Sequence, residues 1–182
     1  MNKKEIIVFG GGCFWCTEAI FLELKGVTSV IPGYTGGTTA NPTYDEVSTG
    51  KTGHVEVIRI EYDPKIISAE KLLEVFFMSH DPTTLNKQGA DIGSQYRSII
   101  LYTNETQLQT AKSYIKNLDE SKKYPKPIVT ELKQLENFYP AEEYHQKFYE
   151  KNPEMPYSQA IIAPKVEKLR QHFKELLKKK SA

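Results

Sequence analysis

The stretch EIIVFGGGCFWCTEAIFLEL, residues 5–24, decides how the chain begins to fold. Its first five residues form an apolar run that predicts a short buried strand, and the glycines that follow break that strand. From Cys13 onward the apolar residues return at helical spacing, and Gly26 predicts the end of the helix. The stretch therefore predicts a strand, a sharp turn and a helix, with Cys13 and Cys16 at the turn.

Length and composition favour one compact domain over residues 1–182. Of the 182 residues, 39% are apolar and 26% are charged, which is enough to bury a core. Lys and Arg number 24 against 23 acidic residues, so no global charge attracts nucleic acid or an anionic membrane. The first apolar run is too short for a signal peptide or a membrane span. We expect a cytoplasmic protein that binds neither nucleic acid nor membrane.

Strand and helix patterns alternate along the chain in the order β-α-β-β-α-β. The segments that give this order are residues 5–9, 13–24, 27–34, 54–62, 68–80 and 95–103. Ser68 and Asn104 are predicted helix N-caps. The order is typical of the ferredoxin-like split β-α-β arrangement, in which helices cover one face of an antiparallel sheet.

The second half of the chain predicts additions to that core. A further strand is predicted over residues 127–135. Helices are predicted from near Pro140 and Pro164, the last one running to the end of KELLKKK. Residues 35–53, rich in Gly and Thr, predict a long loop, either ordered or disordered, and such a loop in a compact domain is usually functional. The predicted fold class is α+β, a ferredoxin-like core with an antiparallel or mixed sheet and C-terminal helical additions.

Several kinds of site compete for the glycine and cysteine stretch. A P-loop needs Gly-Lys-Ser/Thr after its glycines, and a dinucleotide fingerprint needs glycine in place of Trp15. A zinc site needs four ligands, and the 4 histidines do not pair at the spacing of a zinc finger. The two cysteines could be small buried hydrophobes. In a reducing compartment, however, a close pair of thiols is more often catalytic or metal-binding than structural.

Cys13 is a predicted reactive thiol because of its place at the start of a helix. Free backbone N–H groups and the positive end of the helix dipole stabilise a thiolate there and lower its pKa. The preceding glycines let the backbone turn sharply and leave the sulfur uncovered. Cys16 lies one helical turn on, at a separation that a disulfide can bridge.

Glu56 is the candidate acid. Along HVEVIRIEY, residues 54–62, strand alternation places Glu56 on the same face as two isoleucines. If that face is enclosed, desolvation raises the pKa of Glu56, and the carboxylic acid can donate a proton near neutral pH. If the valine face is the buried one, Glu56 is solvated. Arg59 and Glu61 favour the first interpretation, because they suit water better than valines do.

Successive segments of the sequence resemble the signatures of A-type peptide methionine sulfoxide reductases. They are GGGCFWCTEA, GYTGG, NPTYDEV, TGHVEV, NKQGADIGSQYRS and PAEEYHQKF. Motifs in this order are far more specific than a lone Cys-x-x-Cys. The resemblance implies a methionine-S-sulfoxide reductase with a catalytic core over about residues 5–160 and a C-terminal helix over residues 161–182. It implies neither a metal nor a bound cofactor.

The resemblance also implies roles for single residues. Cys13 is implied as the nucleophile and Glu56 as the acid. Tyr44 and Tyr96 are implied as hydrogen-bond donors to the sulfoxide oxygen, on which negative charge develops during attack. Asp91 is implied as a polar residue that lines the same pocket. The implied substrate is methionine sulfoxide, either free or in flexible, exposed protein segments.

The aromatic pair and the second thiol complete the implied site. Phe14 and Trp15 are implied as an apolar cradle for the substrate's S-methyl group. Family members often carry resolving cysteines in a C-terminal tail or in the stretch corresponding to EVSTG; here Ser48 fills that stretch and no cysteine follows Cys16. We therefore expect Cys16 to resolve the sulfenic acid left by catalysis, and the resemblance implies thioredoxin as the reductant. The alternative is that Cys16 is a bystander packed in the helix and that an external thiol such as glutathione resolves Cys13.

Two other classes of protein stay open at the level of sequence. A thioredoxin-like disulfide exchanger is also built on Cys-x-x-Cys at a helix start. A non-catalytic module that recognises oxidised methionine or zinc would bind its ligand without turnover. Release of methionine distinguishes the reductase from both, and metal analysis tests the zinc alternative.

Overall fold

The computed structural model describes residues 3–179, in which a six-stranded mixed sheet carries helices on one face. The strands are β1 (Glu5–Gly10), β2 (Val27–Thr35), β3 (Val55–Tyr62), β4 (Lys87–Gln88), β5 (Asp91–Ile92), β6 (Ile99–Tyr102), β7 (Glu131–Gln134) and β8 (Tyr139–Pro140). The helices are α1 (Phe14–Leu22), α2 (Tyr44–Ser48), α3 (Ala69–Ser79), α4 (Glu105–Glu120), α5 (Phe148–Lys151) and α6 (Ala163–His172). A π-helix, Ser158–Ile162, leads into α6.

The strands of the main sheet follow the order β7-β6-β1-β3-β2-β8. β1 is antiparallel to both β3 and β6, and β2 is antiparallel to β3 and β8. Only β7, which pairs with β6, runs parallel to its neighbour. β4 and β5 form a separate small hairpin. The α+β class with a mixed sheet is confirmed.

Apolar side chains cover both faces of the central strands. One face packs against the helices through a core that includes Ile7, Phe9, Ile58, Ile60, Phe21, Phe76 and Leu169. The other face is a smaller cluster of Val8, Val55, Val57, Ile99 and Leu101, covered by Leu135 and Phe138. Strand β3 is therefore buried on its isoleucine face, as expected, and on its valine face as well.

Capping side chains fix the helix starts that the sequence predicts. Ser68 accepts a hydrogen bond from the backbone N of Lys71 at 3.1 Å, and α3 begins at the next residue. The Asn104 side chain accepts one from the backbone N of Gln107 at 2.9 Å, at the start of α4. Each cap satisfies one of the backbone donors that a helix N-terminus leaves free.

Two C-terminal predictions are wrong. Pro140 begins no helix: it lies in β8, opposite Gly33, and the chain then forms a 3-10 turn at Glu143–His145 before the short helix α5. The last helix ends at His172 and does not run through KELLKKK, because the backbone of Phe173 leaves the helical conformation, with φ −128° and ψ 41°. A separate 3-10 turn follows at Lys174–Leu176. The segment after α6 bonds to the residues that follow α1: the backbone N of Lys25 donates to the carbonyl oxygen of Leu176 at 2.8 Å. Residue 180 lies outside the described residues.

The long segment over residues 35–53 is ordered and contains α2. Thr43 caps this helix in a reciprocal pair with Glu46, in which each side chain bonds the other residue's backbone N. Gly37 lies directly against the backbone before β3, where an added Cβ would meet Thr52 and His54. The segment thus folds back on β3 and fixes α2 beside the end of the sheet. No helix within residues 3–179 is long and apolar enough to cross a membrane.

Candidate active site

A small cavity of about 130 Å³ gathers the residues that the sequence predicts for the site. It lies where the end of β1, the first turn of α1 and the start of β3 meet. Its lining consists of Cys13, Phe14, Trp15, Tyr44, Glu56, Asp91, Tyr96 and Tyr157. Every one of these except Tyr157 was predicted from the sequence. Cys16, the remaining predicted residue, is buried behind the wall.

The turn between β1 and α1 presents the Cys13 sulfur to the cavity. Gly12 has φ +91°, a conformation that glycine adopts without steric cost, and a Cβ there would lie 2.7 Å from Gln88. Cys13 is the N-cap, with extended backbone, so α1 begins at Phe14. Cys13 is partly exposed and Cys16 is buried. The turn therefore opens one thiol to the pocket and encloses the other.

Glu56 is a buried carboxyl directly beside the start of α1. Its side chain is held by the backbone N of Phe14, which donates to Oε2 at 3.1 Å, and the residue is only 2% exposed. Burial raises the pKa of Glu56 to about 8, and the negative charges of Asp91 and Cys16 add to that effect, whereas the Phe14 hydrogen bond opposes it. The structure thus encloses Glu56, which is the first of the two arrangements expected from strand alternation.

The thiol pair corrects one sequence prediction. The pKa of Cys13 is raised, not lowered, because its thiol donates a hydrogen bond to Cys16, and because burial and the Glu56 charge disfavour a thiolate. The pKa of Cys16 falls to about 7, chiefly because it accepts that hydrogen bond. The first amide of α1, that of Phe14, donates to Glu56. Of the two thiols, Cys16 is therefore the one whose surroundings favour ionisation.

Two tyrosines and an aspartate complete the polar wall. Tyr44 is the first residue of α2, and its backbone N donates to Glu142 at 3.1 Å. Tyr96 ends the 3-10 turn Ser94–Tyr96. Burial and the nearby Glu56 raise the pKa of both tyrosines, so their hydroxyls remain hydrogen-bond donors. Burial also raises the pKa of Asp91, which lies in β5.

The aromatic wall is held in place by groups outside the cavity. Phe14 is 1% exposed, whereas Trp15 is partly exposed and stacks on Phe148 with ring centroids 3.6 Å apart. The Trp15 indole N–H donates to Nδ1 of His145 at 3.0 Å. Nδ1 of His145 must therefore carry no proton, and burial lowers the pKa of this imidazole, which favours its uncharged form. Trp15 is both a wall of the cavity and a structural contact.

Tyr157 is the site residue that sequence reasoning missed. Its hydroxyl lies 3.8 Å from the Cys16 sulfur, although the two residues are 141 positions apart. It stands outside all the signature segments, in a stretch whose only sequence signal is the coming helix. Within residues 3–179 no group of three or more His, Cys, Asp or Glu side chains is placed to hold a metal ion.

Comparison with known proteins decides the family. A family profile described as "Peptide methionine sulfoxide reductase" matches residues 5–177. The chain belongs to this family. The reductase of Natronomonas pharaonis, "Peptide methionine sulfoxide reductase MsrA", is 55% identical over 166 residues, which cover 91% of this chain and 93% of that protein. The protein of the same name from Picrophilus torridus is 52% identical over 170 residues, which cover 93% and 96%.

A solved structure agrees with these relatives. Mxr1 from Saccharomyces cerevisiae in its reduced form superimposes with a TM-score of 0.77 at 32% identity, and the match covers 84% of this chain and 88% of that one. The A-type resemblance read from the sequence is confirmed. The chain is a thiol-dependent reductase of peptide methionine (S)-sulfoxide.

Proposed function

We propose that the cavity reduces methionine S-sulfoxide with Cys13 as the nucleophile and Glu56 as the proton donor. One observation carries this assignment: a partly exposed thiol and a carboxyl of raised pKa line the same small cavity. The Phe14 amide, which bonds Glu56, directly follows Cys13 in the chain. The acid is thus fixed relative to the nucleophile by the backbone itself.

The protonation states suit the reaction. Sulfoxide sulfur is a poor electrophile while its oxygen is unprotonated, so the attack requires an acid and donors at that oxygen. Glu56 gives the proton, and Tyr44 and Tyr96 donate hydrogen bonds. The hydrogen bond from Cys13 to Cys16 gives the thiol proton a path away from the nucleophile. The net step converts the Cys13 thiol and methionine sulfoxide into a sulfenic acid and methionine.

The remaining lining residues select the substrate. Phe14 and Trp15 form the apolar cradle for the S-methyl group, and Asp91 lines the polar side of the same cavity. Trp15 can act as a fixed wall because its ring is stacked on Phe148 and its N–H is bound by His145. This rigid support keeps the cradle formed before the substrate arrives.

Cys16 resolves the sulfenic acid in this proposal. Its sulfur is hydrogen-bonded to Cys13, and no third cysteine exists in the chain. Condensation of the sulfenic acid with the Cys16 thiol gives a disulfide and water, and thioredoxin then reduces the disulfide. The yeast relative Mxr1 has been solved in a complex with Trx2.

The deciding experiment is a methionine-release assay run separately on each sulfoxide epimer. We expect release from the S epimer alone, from both free and peptide substrate. Catalysed reduction of insulin disulfides without methionine release would favour a disulfide exchanger instead. Binding of the sulfoxide without turnover would mean a recognition module, and either result would overturn the proposal.

Cys16→Ser tests the resolving step. We expect the variant to release about one methionine per enzyme in a single turnover, because Cys13 and Glu56 are intact. Cycling should fail with thioredoxin as sole reductant and recover partly with a small dithiol, which reaches the sulfenic acid directly. Mass spectrometry of the oxidised wild type should show a loss of two hydrogens in the peptide containing GCFWC. Normal cycling of the variant with thioredoxin would contradict the assignment.

We also propose finer features of fold and location. A single domain over residues 1–182 with a ferredoxin-like split β-α-β core is supported by the all-antiparallel order β6-β1-β3-β2 and by helices on one face. Helices α5 and α6 would be its C-terminal additions. A cytoplasmic location is supported by the chemistry, since the cycle needs a compartment that keeps thiols reduced.

A further inference from the structure

The sulfur of Cys16 is enclosed by a group that arrives from the other end of the chain. Cys16 is 3% exposed, and the Tyr157 hydroxyl lies 3.8 Å from its Sγ. Tyr157 also packs edge-on against Trp15, with ring centroids 5.6 Å apart, which fixes its ring. The contact joins the C-terminal segment to the thiol that does not line the cavity.

The backbone after Tyr157 has an unusual shape that aims this side chain. The next five residues, Ser158–Ile162, form a π-helix before α6 begins. A π-helical turn contains an extra residue, so it changes the direction in which neighbouring side chains leave the helix, and such turns are frequent at functional sites. The buried residues Ile162, Val166 and Leu169 anchor this segment in the core.

The charges around Cys16 act together with Tyr157. Lys165, on α6, lowers the pKa of Cys16, and the Tyr157 hydrogen bond acts in the same direction, whereas burial and the charge of Asp91 oppose them. The titratable and charged groups that face this sulfur are Cys13, Glu56, Asp91, Tyr157 and Lys165. Two of them, Tyr157 and Lys165, come from the C-terminal segment, and both favour the thiolate.

We propose that Tyr157 is a positioning residue for resolution: its hydroxyl donates a hydrogen bond to the Cys16 thiolate and holds this sulfur ready to attack the Cys13 sulfenic acid. The inference deepens the proposed function and rests on Cys16 being the resolving thiol. Lys165 supports the same thiolate by its charge.

The resolving step balances without an outside oxidant. The electron pair of the Cys16 thiolate forms the S–S bond while the S–O bond of the Cys13 sulfenic acid breaks. The oxygen leaves as hydroxide and becomes water with the proton that Cys16 had released. The Cys13 sulfur is reduced and the Cys16 sulfur is oxidised, so the disulfide holds the two oxidising equivalents that the sulfoxide brought.

The first test measures the ionisation of Cys16 directly. In a Cys13→Ser background Cys16 is the sole thiol, and the ultraviolet absorbance of its thiolate can be followed against pH. Tyr157→Phe should raise the midpoint by about one pH unit, which leaves about fivefold less thiolate at pH 7. Lys165→Met should shift it in the same direction, whereas Lys168→Met, an exposed lysine on the same helix, should not. An unchanged midpoint in Tyr157→Phe would overturn the proposal.

The second test separates resolution from substrate reduction in the chain with both cysteines. After rapid mixing with methionine sulfoxide, the ratio of the disulfide-formation rate to the methionine-release rate should fall about fivefold in Tyr157→Phe. A fall in both rates by the same factor would place Tyr157 at the substrate and overturn the inference. If the wild type forms no Cys13–Cys16 disulfide, the resolving step of the proposed function fails instead. Lys165→Met leaves the pocket wall intact and keeps the test valid if Tyr157→Phe does not fold.

Discussion

At the scale of single residues, the same side chain serves different purposes according to what surrounds it. Glu56 and Glu18 are both buried glutamates, with pKa values raised by burial to about 8 and about 7. Glu56 lines the cavity with Cys13. Glu18 lies outside it and accepts a hydrogen bond from the backbone N of Lys147 at 2.7 Å. Burial favours the protonated carboxyl in both cases, but only Glu56 lies in the cavity where it can donate that proton to a substrate.

Glu56→Gln should therefore remove the proton donor while keeping the size and shape of the side chain. We expect a loss of about 10²- to 10⁴-fold in the rate of methionine release, because glutamine accepts the Phe14 hydrogen bond but has no carboxylic proton. In the wild type the rate should fall as pH rises through about 8, where Glu56 loses its proton. Glu18→Gln is the matched control and should keep the wild-type rate. A loss confined to KM would assign Glu56 to binding instead.

Trp15 is expected to contribute to both capture and stability. Trp15→Ala removes the wall of the cavity, the stack on Phe148 and the hydrogen bond to His145, so we expect a higher KM and a loss of roughly 3–5 kcal/mol in the free energy of unfolding. Trp15→Phe keeps an apolar ring, so its KM should lie close to the wild-type value. It leaves Nδ1 of His145 buried without a donor, which should lower the free energy of unfolding by about 1–3 kcal/mol. Urea unfolding and steady-state kinetics measure the two effects. An unchanged KM in Trp15→Ala would remove Trp15 from the substrate site.

At the scale of elements, adjacency in the sequence decides what could be predicted. The strand, turn and helix over residues 5–24 follow from local pattern, and with them the position of Cys13. The burial of Glu56 follows from alternation along β3. The pKa direction of Cys13 does not, because it depends on the hydrogen bond to Cys16, on burial in the folded cavity and on Glu56, which comes from another strand. The contact of Tyr157 with Cys16 could not be predicted either, because it depends on how α6 packs in three dimensions.

The β1–α1 turn has a steric requirement of its own. Gly12 and Gly89 both have positive φ, at +91° and +57°, so alanine introduces backbone strain at either position. At Gly12 the new Cβ would also lie 2.7 Å from Gln88, whereas at Gly89 nothing lies within 4 Å. Gly12→Ala should thus destabilise the protein by about 1–3 kcal/mol more than Gly89→Ala. Equal urea midpoints for the two variants would show that the turn has room to adjust.

At the scale of the whole molecule, the site is an assembly of distant segments around one end of the central strands β1 and β3. β1 and α1 bring the thiols, β3 brings the acid, α2 and the turn before β6 bring the tyrosines, and the segment before α6 closes the rear. Several of these pieces carry buried ionisable groups, and each group ties folding to pH. The protonation of buried groups at the site therefore affects both activity and the free energy of unfolding.

Stability should fall as pH rises because buried glutamates must then ionise. Folded Glu18 has a pKa of about 7 against 4.5 as its ordinary value, so the folded state binds more protons in between, and its contribution is present at low pH and lost as pH rises through about 7. Glu18→Gln should gain roughly 3 kcal/mol relative to the wild type between pH 4.5 and pH 8, at about 1.4 kcal/mol per pKa unit. Glu56 titrates in both proteins and cancels from the difference. Urea unfolding at both pH values measures it, with the exposed Glu120→Gln as the control. A difference that does not change with pH would mean that Glu18 is not protonated in the fold.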